Sequence, residues 1–546
     1  MSEARAAGPV DLALIDQTIG ENLEQTVARF GDRDALVVPH QGVRQNWSEF
    51  NATVDQVAKG LIAFGLEAGD RVGMWSPNFA QWVYIQYATA KIGAIQVNIN
   101  PAYRTSELQY ALEQSGCRLL VTRTEYLHSA YRNMVEEVAD SLDTLERTIY
   151  FDTDDWAELL TAGESVDDET LGARLESLTP DDPINIQYTS GTTGFPKGAT
   201  LSHKAILNDA RFVGDACGYD ETDRVCIPVP FYHCFGMVMG NLACSSFGAT
   251  MVIPSPTFEP GAVLSALQDE RCTSLYGVPT MFVAELGHPD RAEFDLSSLR
   301  TGIMAGSPCP IEVMRQVIDE MHMPEVTIAY GQTETSPVST QTSTHDSVEH
   351  RVSTVGRVLP HVEAKIVDPE TGETVERGEP GEYCTRGFHV MLGYWNDPEK
   401  TAEAIDADGW MHSGDLATMD DDGYVNIVGR IKDMIIRGGE NLYPREIEEF
   451  LLTHPAVADA QVIGVPDTKY GEELMAWVQL TADSELTEDE LREFSRGKIA
   501  HFKIPRYIRF VSEFPMTVTG KVRKVEMREK SIADLGLEAA AATKMA

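Results

Sequence analysis

Residues 188–198, YTSGTTGFPKG, put three glycines, three threonines, a serine and a lysine directly after the strand-like run INIQ. Glycines at Gly191 and Gly194 allow backbone conformations that turn several N–H groups toward one point, and phosphate is the usual guest of such a nest. Thr189, Ser190, Thr192 and Thr193 add hydroxyl donors, and Lys197 adds a positive charge. The spacing is not the GxxxxGK[ST] of P-loop NTPases, because five residues including Pro196 separate Gly191 from Lys197. A phosphate loop of another kind is expected, with a polar turn in a connection as the bland alternative. Other groups promise less. The eight cysteines (117, 217, 226, 234, 244, 272, 309 and 384) contain no CxxC pair, so reduced, mostly buried thiols are expected. His345 and His350 in HDSVEH are spaced poorly for one helical face and read as a solvated loop rather than a metal site.

The loop needs elements to hold it. WSEFNATVDQVAKGLIAFGL has helical spacing with Ser48 as the expected cap; GDRVGMW reads as a strand, FAQWVYIQYATAKIGA as a helix and AIQVNIN as the next strand. TSELQYALEQSG and CRLLVT continue the alternation, and ATMVIP, a helix around 260–270, SLYGVP and LRTGIMAG repeat it. The sum is an α/β fold of layered subdomains with largely parallel sheets. The acidic stretches DTDDW and SVDDET read as loops between elements. From about 355 a β-rich subdomain is expected, with MDDDGYVNIVGR a hairpin closing through Asp422-Gly423. From 433 onward a helix at PREIEEFLLTHPAV, strands at ADAQVIGVPD and ELMAWVQLT, and a helix at TEDELREFSRGKIA indicate a small α+β domain. The expected domains are 1–429, a hinge at 430–432, and 433–546.

A chain of 546 residues with 43% hydrophobic content can bury several cores. Its formal net charge of −41 is far from ordinary, and only 14 of its 44 cations are lysine. A solvated acidic surface follows, of the kind found in proteins that stay soluble in concentrated salt, and a broad basic face for nucleic acid is excluded. The first residues lack the basic-then-apolar layout of a secretory signal, and no apolar run is long enough to span a bilayer, so a cytoplasmic location is expected.

Six stretches in order, YTSGTTGFPKG (188–198), PFYHCFG (230–236), AYGQTE (329–334), HSGDLA (412–417), GRIKDMIIRGGENLYP (429–444) and PMTVTGKVRK (515–524), resemble the acyl-adenylate-forming superfamily, and the C-terminal part is most similar to medium-chain fatty acyl-CoA synthetases. The resemblance covers roughly residues 20–530. It implies a large AMP-binding N-terminal domain with a small mobile C-terminal one, a fatty carboxylic acid, ATP and CoA as substrates, Mg²⁺ as cofactor, and a monomer or homodimer. It assigns the β- and γ-phosphates to the loop 188–198, Mg²⁺ to Glu334, the α-phosphate to Thr333, and adenine to Tyr330, with Gly331 and Gln332 alongside. Asp415 and Arg430 match the ribose pair, and Lys432 the hinge. Gly438 and Gly439 match the pantetheine channel, and Asn441 a polar position facing the adenylate. His233 matches a residue of the acyl pocket that senses the carboxylate.

Lys521 matches the lysine that bridges the substrate carboxylate and the α-phosphate, offsetting repulsion between two approaching anions. The bland alternatives are an exposed loop Glu334, an ion pair of Asp415 with a structural arginine, and a solvated Lys521. Where relatives carry a run richer in glycine this chain has MAGSPCP, which leaves the adenine contacts of Gly306 and Ser307 less defined. Tyr232, Cys234 and Phe235 beside His233 disfavour an amino acid substrate, and glycine at 331, where acetyl-CoA synthetases carry tryptophan, leaves room for a longer chain. Met237, Tyr276 and Val278 are expected as apolar walls of the acyl pocket or as plain core. The acid is expected to be a short-to-medium-chain or branched fatty acid, with an aromatic acid second. Transfer to a carrier protein and a catalytically silent binding protein are the alternatives of other classes.

Overall fold

The computed structural model describes residues 2–189, 196–307, 309–437, 440–482, 484–516 and 522–541, with only the backbone described at 440, 441, 539 and 541. Two compact units result. One comprises Ala6–Ala364 and Thr385–His412; the other comprises Met1–Arg5, Lys365–Cys384 and Ser413–Ala546. Lys365–Cys384 and the strands from Ser413 therefore fall with the C-terminal residues, whereas the sequence places them before a hinge at 430; Thr385–His412 stays with the first unit. The antiparallel ladder between Met411–Met419 and Val425–Arg430 runs up to that hinge and ties it to the strands before it.

The first unit is built on two mixed sheets. One has the order Gly393–Tyr394, Lys197–Ser202, Pro183–Thr189, Ile95–Ile99, Arg71–Trp75, Leu119–Thr122, Arg147–Tyr150. From Pro183–Thr189 onward its strands are parallel, while the first two strands in the order run antiparallel. The other sheet is parallel through Glu325–Tyr330, Thr301–Ala305, Ser274–Gly277, Arg224–Cys226, Thr250–Val252 and Asp34–Val38. Ile95–Ile99 is buried at every position, the burial expected of a parallel strand covered on both faces.

Local chemistry sets the helix starts. Trp47–Ala63 is capped by Asn46, not Ser48: the Asn46 side chain accepts the Glu49 N–H at 2.8 Å, and the Glu49 carboxylate accepts the Asn46 N–H at 3.0 Å. The acidic stretches are not loops. Asp154–Gly163 starts behind the cap Thr153 with Asp154 and Asp155 in its first turn, and Asp168–Glu176 starts behind the cap Asp167. Acids gather where unpaired N–H groups and the positive end of the helix dipole favour them. His350 likewise lies in a short helix, Val348–Ser353, rather than a loop.

The second unit carries the expected hairpin, with Met419 opposite Val425 and Gly423 at φ 85. Its C-terminal part pairs Val457–Asp467 with Gly471–Leu480, to which Tyr507–Phe510 adds in parallel. Helices Pro444–Leu452, Glu488–Ser495 and Lys524–Leu535 accompany this sheet. All eight cysteines are buried thiols outside any disulfide. Among the described residues no helix is long and apolar enough to cross a membrane.

Candidate active site

Pro183–Thr189 and Lys197–Ser202 form the two arms of a hairpin, with Thr189 directly opposite Lys197. Two antiparallel strands therefore flank residues 190–195, whereas a P-loop lies between a strand and a helix. Ser190, Gly191, Thr192, Thr193 and Gly194 lie outside the described residues.

Glu334 reaches this hairpin base from the other sheet. The strand Glu325–Tyr330 ends, Gly331 and Gln332 turn the chain, and Thr333–Thr335 makes one 3₁₀ turn. A Cβ at Gly331 would lie 2.0 Å from the Pro337 carbonyl oxygen, so the backbone's close approach itself demands glycine there. The turn is pinned on both sides: the Gln332 N–H donates to Thr335 Oγ1 at 2.9 Å, the Val338 N–H to the buried Asp209 carboxylate at 2.9 Å, and the Met391 N–H to the Glu334 carbonyl at 2.9 Å. Tyr330, Gln332, Thr333 and Glu334 are all half-buried, open enough for a ligand and held well enough to orient it.

The Glu334 carboxylate accepts the Tyr394 hydroxyl at 2.9 Å on Oε1, and Thr189 Oγ1 lies 3.3 Å from the same oxygen. Among the described residues Oε2 has no hydrogen-bonding partner and no cation pairs with Glu334. Lys197 is likewise without an ion pair among them; its ammonium lies 4.5 Å from the centroid of the Tyr394 ring. Burial, reinforced by the Glu334 charge, holds the Tyr394 phenol well above its ordinary range, so it stays a neutral donor. Thr189, Lys197 and Glu334, singled out separately in the sequence, are brought together here. Tyr394 and Asp209 were missed. Tyr394 carries no motif signal beyond a glycine before it, and Asp209 reads as an ordinary helix position.

A half-buried carboxylate with one oxygen unpartnered among the described residues suits Mg²⁺, which takes few protein oxygens and completes its octahedron with water and phosphate oxygens. The donor set at Glu334 therefore fits the ion.

Near PFYHCFG the chain turns into a π-helical segment, Phe235–Leu242. The His233 carbonyl accepts the Gly236 and Met237 N–H groups at 3.1 Å each, which places half-buried His233 just ahead of that segment. Met237 is buried, and its sulfur accepts the side-chain amides of Asn98 at 3.2 Å and Gln187 at 3.1 Å. Tyr276 is buried too: its ring stacks on Phe235, and its hydroxyl donates to the Met239 carbonyl at 2.9 Å. Both side chains thus carry polar contacts that an apolar-wall reading does not contain. Gly306 has φ 89, and a Cβ there would lie 3.1 Å from Val278, so these two candidates adjoin. Ser307 beside it is half-buried.

In the second unit Asp415 lies opposite Arg430 in the antiparallel ladder, and Arg430 Nε approaches Asp415 Oδ1 at 3.2 Å. The arginine that pairs with Asp415 is thus the second ribose candidate itself. Asp415 is nearly buried, whereas Arg430 is exposed and able to turn toward a ligand. Lys432 sits exposed in the short turn Ile431–Asp433. Asn441 lies opposite Ile436 in the hairpin Ile435–Arg437/Glu440–Leu442. Gly438, Gly439 and Lys521 lie outside the described residues; Met516 and Val522, which flank the last, pair antiparallel.

Residues 23–395 match the AMP-binding enzyme family and residues 446–521 the AMP-binding enzyme C-terminal domain. The chain is 50% identical over 538 residues to the putative acyl-CoA synthetase YngI of Bacillus subtilis, covering 95% of this chain and 98% of that protein. It is 46% identical to the mitochondrial medium-chain acyl-CoA ligase ACSF2 of Danio rerio, covering 96% and 90% respectively. Among solved structures, the anthranilate CoA ligase AuaEII in complex with anthranoyl-AMP superposes with a TM-score of 0.84 at 27% identity, covering 96% of this chain and 99% of that one. With its motifs, folded units and hairpin-based site in place, the chain belongs to the AMP-binding enzyme family and groups within it with acyl-CoA synthetases.

Proposed function

We propose that the protein is an AMP-forming acyl-CoA synthetase acting on a short-to-medium-chain fatty acid. The observation that carries this reading is the meeting of Thr189, Lys197 and Glu334 at the base of the glycine-rich hairpin. The fatty carboxylate attacks the α-phosphorus of ATP, the bond to the β-phosphate bridging oxygen breaks, and pyrophosphate leaves with acyl-AMP remaining. The CoA sulfur then attacks the acyl carbonyl, its proton is lost to solvent, and the bond to AMP breaks.

Lys197 and the hydroxyls of Thr189, Ser190, Thr192 and Thr193, with the N–H groups of Gly191 and Gly194, hold the leaving phosphates. Glu334 would hold Mg²⁺, which when bound neutralises charge on the phosphate oxygens. Thr333 meets the α-phosphate; Tyr330, Gly331, Gln332, Gly306 and Ser307 hold adenine; Asp415 and Arg430 hold the ribose, with Asn441 nearby. His233 faces the carboxylate, while Met237, Tyr276, Val278 and Gly331 border the acyl chain. Lys521 approaches the two reacting anions in the first step. Rotation about Lys432 then replaces it with Gly438 and Gly439, which admit the thin thiol arm of CoA; one site cannot hold a reaching lysine and an open thiol path at once. A domain boundary at 430–432, a cytoplasmic location and a monomeric or homodimeric state belong to the same proposal.

An aromatic acid is the second reading, favoured by the likeness to the anthranilate ligase. Replacing Lys521 with alanine tests the division of labour. Acyl-AMP formation should fall by about a hundredfold or more, as when a preorganised charge is lost, while thioesterification of supplied acyl-AMP persists. Equal loss of both half-reactions would refute it.

A further inference from the structure

Tyr394 lies outside every assignment above, yet it touches both charged groups at the hairpin base. Gly393–Tyr394 pairs antiparallel with Lys197–Ser202, Tyr394 opposite Ala199. The Tyr394 N–H donates to Thr401 Oγ1 at 2.9 Å, and the next N–H, of Trp395, donates to the Gly198 carbonyl at 2.7 Å. The Trp395 carbonyl in turn accepts the Gln114 amide at 2.7 Å. The backbone around the tyrosine is therefore fixed to the strand that carries Lys197, and its ring and hydroxyl have little freedom left.

From that mount the hydroxyl donates to Glu334 Oε1 and the ring face meets the Lys197 ammonium. A carboxylate only accepts, so the phenol proton must lie between the two oxygens. Such a charge-assisted bond is roughly twice as strong as a neutral one and fixes the direction of the remaining lone pairs. Thr189 is a weaker second donor: its Oγ1 stands 3.3 Å from Glu334 and 3.4 Å from the Lys197 carbonyl, and its one proton serves one acceptor at a time.

We propose that Tyr394 is a positioning residue for the metal–nucleotide site: its hydroxyl clamps Glu334 Oε1 so that Oε2 is presented to the divalent cation, while its ring seats Lys197 until phosphate arrives. This rests on Glu334 being the carboxylate that holds the cation. Tyr394 acts through Glu334 and Lys197, and makes no contact with the reacting atoms itself. The tyrosine holds Glu334 by a hydrogen bond and Lys197 by its ring face, so the cation meets a carboxylate already oriented.

The full-length protein, saturated with α,β-methylene-ATP, is titrated with Mn²⁺ and followed by electron paramagnetic resonance. Wild type, Tyr394→Phe, Glu334→Gln and the double variant are compared, with thermal melts recorded in parallel. Phenylalanine keeps the ring under Lys197 and removes only the hydroxyl. The expected result is Mn²⁺ binding weakened about tenfold by Tyr394→Phe, at least as much by Glu334→Gln, and no further by the double variant. Unchanged Mn²⁺ affinity in Tyr394→Phe beside a weakened Glu334→Gln overturns the role of the tyrosine alone, whatever its melting temperature. Additive losses in the double variant do the same, because they place Tyr394 outside the path through Glu334. Unchanged affinity in Glu334→Gln overturns the assignment of Glu334 and the present inference together.

Discussion

Lys91 and Lys197 are two of 14 lysines in this acidic chain, and the first unit treats them in opposite ways. Lys91 is 1% exposed on the helix Ala80–Ile92, and its ammonium donates to Glu24, to Asp55 at 2.5 Å and to Asn51 Oδ1 at 2.8 Å. Those partners stand on the helices Ile19–Phe30 and Trp47–Ala63, so one charge ties three helices. Lys197 is half-buried and makes its charged-group contact with a ring, and the carboxylate that shares that ring, Glu334, is left to hydroxyl donors. A charge matched by the fold has nothing left for a ligand. A charge left to an aromatic face and two hydroxyls is available to one.

Lys91→Met should cost about 1–3 kcal/mol of stability at neutral pH, because it leaves the buried Asn51 amide oxygen and the half-buried Asp55 carboxylate without their donor. Desolvation already raises the Asp55 carboxyl above its ordinary value against the pull of Lys91. Without Lys91 that carboxyl rises further, so the deficit should shrink as pH falls and Asp55 takes up a proton. Chemical denaturation at pH 5 and pH 8 reads this directly. Lys197→Met should leave stability within about 1 kcal/mol, the scale of one cation–π contact, while pyrophosphate exchange falls about a hundredfold. If Lys197→Met proved the more destabilising of the two, the contrast between matched and spare charge would fail.

Glu285 has no match among the described residues. It is 1% exposed on the helix Pro279–Leu286, and among the described residues neither carboxylate oxygen has a hydrogen-bond partner. Burial holds its carboxyl well above the ordinary glutamate value of 4.5. A native state that keeps the proton while the unfolded chain loses it becomes less stable as pH rises above that value. Glu285→Met should therefore stabilise the protein, with the gain growing by up to about 1.4 kcal/mol per pH unit inside that window. Parallel stability curves for variant and wild type between pH 5 and pH 8 would contradict it.

Much of this could be read before any coordinates. The parallel strands announced themselves as apolar runs bounded by glycine, proline or asparagine, and the loop 188–198 declared its chemistry by composition. What the sequence hid was which of several adjacent groups wins a local contest. Asn46 rather than Ser48 caps its helix because its side chain and Glu49 exchange bonds, and a serine two residues on offers no competing signal. DTDDW and SVDDET look like solvated loops until their acids are seen as first-turn residues. Tyr394 stayed invisible for another reason. Its function depends on a strand pairing across nearly two hundred residues of sequence, and a short strand at a sheet edge has no periodicity of its own.

The central claim is that the assembled site activates a fatty acid as its adenylate and hands it to CoA. ATP–pyrophosphate exchange across a panel of linear, branched and aromatic acids, followed by AMP release with and without CoA, tests it most directly. The account predicts exchange that depends on a short-to-medium-chain acid and AMP release that depends on CoA. Exchange with no CoA-dependent product would move the acceptor to a carrier protein, and no exchange with any acid would contradict the account outright.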